Sequence, residues 1–184
     1  MLSEKGYNSL MEGLVIVSAI LLSFSISLGV GSSTLAILEF FKAIADGQID
    51  ETERGMLGIV YVVLRVAMAA ILLTYLLQLF IGYSGQASFL YDTPHAYAIA
   101  VLLAVLYVNA ILMTAKIMPS TFGPALQAST WYTMGVVSAL LPLQISEFTM
   151  WQFLFGYGSM FLIMAAIVNS VMAYLKYRKV TDGD

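Results

Sequence analysis

The chain has 184 residues, 60% of them hydrophobic and 10% charged, with a net charge of −3 and a mean hydropathy of +0.89, whereas soluble domains carry roughly 25% charged residues. That composition excludes an ordinary soluble domain, and without a lysine- and arginine-rich run there is no phosphate-binding face for nucleic acid. The chain has no cysteine, so structural disulfides, thiolate metal sites, iron–sulfur clusters and cysteine nucleophiles are excluded by inventory.

The N-terminal stretch MLSEKGYNSLMEG has one lysine among acidic and polar residues and no small-x-small cleavage site. It does not read as a signal peptide, and the first apolar segment is expected to stay in the protein. A helix needs roughly 20 mainly apolar residues to cross the hydrocarbon core. Five stretches qualify, at 13–44, 55–80, 96–115, 124–141 and 150–175. The expected fold is an all-α, polytopic membrane helix bundle, a single domain over residues 1–184 whose short connections pack neighbouring helices antiparallel.

The first span is polar and small along much of its length. Ser25, Gly29 and Ser33, four apart, permit close helix approach, the reading preferred here. A break at Gly29 to Ser33 would instead free backbone groups at membrane depth. After it comes ADGQIDETE, in which Asp46, Gly47 and Glu53 match the last fixed positions of an EF-hand loop, but the first two ligand positions fall on Lys42 and Ile44. Too few oxygens remain for calcium. The better reading closes the first helix at Gly47 and starts the second with an Asp50-x-x-Glu53 capping box, leaving Asp46, Asp50 and Glu53 as weak metal candidates only.

The second span carries Arg65 and the first carries Glu39. An ionisable residue facing lipid is costly, and both lie roughly 10 Å inside one membrane boundary by helix rise, so the two are expected to pair or share a polar network; the alternative is that Arg65 snorkels to the headgroups and Glu39 lies at the interface, neither touching the other. The segment 82–94 reads as a loop, and Thr93-Pro94 opens the third span. That span carries Asn109. Gly123-Pro124 opens the fourth, which carries Gln127, and Pro142 closes it. The fifth carries Asn169. Glu39, Arg65, Asn109, Gln127 and Asn169 thus form an expected layer in one half of the bilayer, with Gln78 and Gln152 near the opposite rim. Such a layer either lines a shared path for a small solute or ion, or supplies interhelical hydrogen bonds worth about 0.6 kcal/mol each.

His95 is the only histidine, which rules out a bis-histidine haem within one chain; it is expected in a loop at the rim. Met160 and Met164, one turn apart, read as packing rather than a copper(I) site. No serine-nucleophile signature, HExxH or phosphate loop is present, so neither an enzyme nor a cofactor is expected. Lys42, Arg54, Lys116, Lys176, Arg178 and Lys179 fall on one side of the membrane and Lys5 on the other. The positive-inside rule then puts the N-terminus outside and the C-terminus in the cytoplasm of a multi-pass cell-membrane protein. The expected partners are the lipid bilayer and further copies of the chain, since one small chain has little room to enclose a path. The rival expectation is a non-transporting scaffold or partner-binding subunit whose polar residues only fix helix packing.

Overall fold

The structure, a computed structural model, describes residues 4–46, 50–84, 90–118, 122–141 and 147–181. Among them the chain is all-helical: α1 (Glu4–Asp46), α2 (Glu51–Ser84), α3 (Pro94–Thr114), α4 (Phe122–Leu140) and α5 (Met150–Thr181). Each coincides with an expected span, but α1, α2 and α5 run well past theirs. Hydropathy locates the apolar part of a helix, whereas backbone hydrogen bonding carries the helix on into polar flanks. Gly47 and Pro142 lie outside the described residues.

α1, α2, α3 and α5 are long and apolar enough to cross a membrane. α4 is not, because Gln127, Ser129, Thr130 and Thr133 dilute its 19 residues. The expected five apolar spans therefore reduce to four, with α4 as a fifth helix of another kind. It packs against α1, α3 and α5, and Ala125, Ala128, Ser129, Thr130, Trp131 and Met134 are all completely buried. A helix that meets protein on several sides does not need an apolar exterior.

Outside this centre the bundle is clad in large apolar side chains. Phe24, Phe80, Trp151 and Phe155 are each at least 70% exposed, an arrangement suited to lipid rather than water. The core runs through all five helices, with Leu22 and Ile26, Ala67 and Ile71, Leu102 and Leu106, Trp131 and Met134, and Phe153 in one cluster. α3 is 21 residues long, about 32 Å, which matches the hydrocarbon thickness. α1, with 43 residues, is about twice that length and must tilt or project beyond the core.

α1 is continuous through Gly29 to Ser33. Several of its hydroxyls donate within the helix, Ser25 to the Leu21 carbonyl at 2.7 Å, Ser32 to Leu28 at 2.6 Å and Thr34 to Val30 at 2.8 Å. Ser25, Gly29 and Ser33 are buried, and a Cβ on Gly29 would run into the Trp131 ring of α4. The small residue is required by this close approach.

The α1–α2 hairpin is locked at its turn. The Glu53 amide donates to Asp50 Oδ1 at 2.6 Å and the Asp50 amide to Glu53 Oε2 at 3.4 Å, a reciprocal capping box. Lys42 Nζ reaches Glu53 Oε1 at 3.1 Å. At the other end of the bundle Thr93 caps α3 by accepting from the Ala96 amide at 3.2 Å, with Pro94 in the first turn. α3 ends without glycine: Lys116 takes the left-handed conformation, φ 57°, and the Ile117 amide returns to the Leu112 carbonyl at 3.0 Å, a Schellman-type closure.

Candidate functional site

A cavity of about 280 Å³ opens between α1, α2, α3 and α4, near the end that carries the α1–α2 and α3–α4 turns. α1 gives it Ser33, Ile37 and Phe40, α2 gives Tyr61, Leu64, Arg65 and Met68, α3 gives Ala110, Met113 and Thr114, and α4 gives Pro124 and Gln127. Most of the wall is apolar. Among the described residues Arg65 is its one charged side chain, and no ion-pair partner for Arg65 is found among them.

Behind Gln127 lies Asn109, 1% exposed. Its Nδ2 donates to the Gly123 carbonyl at 3.0 Å and to Gln127 Oε1 at 3.2 Å. Glycine at 123 allows this, because a Cβ there would stand 2.9 Å from Met113 Cγ, tighter than normal van der Waals contact. The close approach of the two helix ends brings a backbone carbonyl within reach of Asn109. Arg65, Asn109 and Gln127 of the expected layer are thus gathered at one place.

Glu39 and Asn169 are not. The Lys42–Glu53 contact sets the hairpin register and brings Glu39 level with about Met56, nine residues before Arg65 and roughly 13 Å away in rise. The expected Glu39–Arg65 pair is absent from the described ion pairs; one Glu39 oxygen, Oε2, is buried without a hydrogen-bond partner. The expectation fails because it measures both residues from hydropathy boundaries, while the register follows the turn. Asn169 is exposed on α5. Val168 is 1% exposed, and one residue further the side chain has rotated by roughly 100°, away from the bundle.

The remaining candidates have structural surroundings. The oxygens of Asp50 and Glu53 are taken up by the cap and Lys42, and Asp46 ends α1. His95 sits in the first turn of α3 rather than in a loop, 4% exposed, its ring edge-on to Phe148 at 4.9 Å. Met164 packs with Ile37 and Ala128. Gln78 is buried near the opposite rim, and Gln152 caps α5 by accepting from the Thr149 amide at 2.8 Å.

A second set of polar contacts goes beyond the expected layer. Thr34 meets the Tyr132 hydroxyl at 2.7 Å, joining α1 to α4, and Thr130 meets Tyr157 at 2.8 Å, joining α4 to α5. Tyr107 donates to the Met68 carbonyl at 2.9 Å, joining α3 to α2. The available signal was tyrosine deep inside an apolar helix, where a hydroxyl must find a partner. Compared with known proteins, the chain matches no family model, no curated protein and no solved structure.

Proposed function

We propose that the protein is a small multi-pass carrier or channel of the cell membrane, or one protomer of a homo-oligomeric one, that takes a small solute into the cavity at Arg65 and Gln127. The observation that carries this reading is the open cavity itself. Polar residues whose only role is to hold helices together end in mutually satisfied pairs, as Thr130 and Tyr157 do, whereas Arg65 is an exposed side chain that lines the cavity without a carboxylate partner among the described residues. A cation kept within apolar helices and facing a cavity marks a solute path by the chemistry of the bilayer. The rival scaffold reading draws on the satisfied tyrosine contacts, which tie helices together without any cavity. Flux into liposomes separates the two. Saturable uptake by wild type that falls at least about tenfold in Arg65→Ala, and less in Glu39→Gln, is expected; background-level flux for every ion and metabolite tested would sink the carrier.

All five helices cross the bilayer in this reading, with the N-terminus outside and the cavity near the cytoplasmic face. It is supported by the basic residues, since Lys42, Arg54 and Lys116 lie at the same end as the two turns. The natural chain has no thiol, so a cysteine placed at Lys5 is the sole target for an impermeant maleimide. Labelling of Lys5→Cys in intact cells, with none at Lys116→Cys, is expected; the reverse pattern would invert the orientation.

A further inference from the structure

Two of the cavity's polar groups, Gln127 and Arg65, have a definite hydrogen-bonding sense. The backbone carbonyl of Gly123 only accepts, so the part of Asn109 that meets it at 3.0 Å must be the NH₂. The same NH₂ faces Gln127 at 3.2 Å, so Gln127 must turn its oxygen toward Asn109. What Gln127 has left for the cavity it lines is its own NH₂, for which no acceptor is found among the described residues. Arg65 adds a guanidinium with five donors and no acceptor. The Thr114 hydroxyl gives its proton to the Ala110 carbonyl at 2.8 Å, while Ser33 and Tyr61 rotate to suit a ligand. A buried relay running from Gly123 through Asn109 therefore fixes a second donor in the cavity that Arg65 lines, and Ile37, Leu64, Met68 and Met113 supply apolar surface around them.

We propose that this cavity binds an anion-headed molecule with an apolar body, a carboxylate or phosphate monoester on a short hydrocarbon chain, with Arg65 and the Gln127 amide holding the anionic oxygens. The same chemistry is offered by a free amphiphile and by the headgroup of an anionic lipid. The inference rests on reading the cavity as the solute site, yet binding and flux fail separately. Flux without preference for anions would overturn this inference and leave the carrier standing, and anion binding without flux would do the opposite.

The test is the melting temperature of the full chain in phosphatidylcholine nanodiscs with hexanoate, hexyl phosphate, hexylamine or hexanol. Both anions are expected to raise it by about 3 °C at tenfold excess over their Kd, and the amine and alcohol to leave it unchanged. Arg65→Ala and Gln127→Glu should each weaken anion binding at least about tenfold, since one removes the charge and the other turns a carboxylate toward the ligand. Arg65→Lys should keep part of it. If Gln127→Glu fails to fold, Arg65→Ala, on the exposed cavity wall, still decides. A rise on exchanging phosphatidylcholine for phosphatidylglycerol that Arg65→Ala abolishes would identify the lipid headgroup as the source, and a rise with the soluble anions alone the free amphiphile. Hexylamine as effective as hexanoate, or anion shifts unchanged in both Arg65→Ala and Gln127→Glu, would overturn the proposal.

Discussion

α4 and α5 lie side by side, yet they solve opposite problems. α4 is the more polar, and Ser129, Thr130 and Trp131 along it are completely buried. α5 carries the longer apolar run, yet most of that run lies on the surface of the bundle, with Phe155, Leu162 and Ile163 exposed. In water the ranking would be reversed, because burial is what apolar side chains gain from. In a bilayer the surroundings are already apolar, so interior positions go to side chains that are small enough to pack closely or that find a polar partner. For α4 low hydropathy goes with enclosure, since Gln127, Ser129, Thr130 and Thr133 are all buried.

The contrast is broken most severely at Gly29. A side chain there displaces Trp131, whose ring fills the α1–α4 seam and has no exposed surface. Gly29→Val is expected to cost about 3 kcal/mol or more by overpacking, read as loss of the folded fraction in reversible detergent unfolding. Gly156 of α5 is the matching control, since a Cβ there would meet nothing within 4 Å, and Gly156→Ala should be close to neutral. Equal losses at the two glycines would mean that α5 is as enclosed as α4.

Much of this is legible in the chain and some is not, for reasons that differ by residue. α1, α2, α3 and α5 are legible because their apolar runs are long, α4 from its Gly123-Pro124 start, and the Asp50–Glu53 and Thr93–Pro94 starts because capping is local chemistry. The end of α3 is hidden, since a left-handed lysine stands where glycine is the usual signal. Asn109 and Gln127 fall in one layer by counting from helix ends, and their contact follows from the short α3–α4 connection, which holds those ends in register. Glu39 and Asn169 fail in the same count. Depth is one coordinate and rotation about the helix axis is another; a polar side chain joins a site only when both agree.

The smallest effects test rotation directly, through a pair of substitutions that remove one polar group each. Thr130→Val deletes the hydroxyl that meets Tyr157 at 2.8 Å, leaving the tyrosine without that partner, and should cost about 0.6 kcal/mol and no more than about 1.7 kcal/mol. Asn169→Leu removes an amide that faces outward from α5. In a protomer surrounded by lipid that amide has no protein partner, so its loss should be neutral or slightly stabilising in the same unfolding measurement. A penalty at Asn169 as large as that at Thr130 would mean that something covers this face. If the penalty grew with protein-to-lipid ratio, the cover would be a second copy of the chain, by mass action. If it did not, Asn169 would belong to the interior of the protomer and α5 would have to be rotated from its place in this bundle.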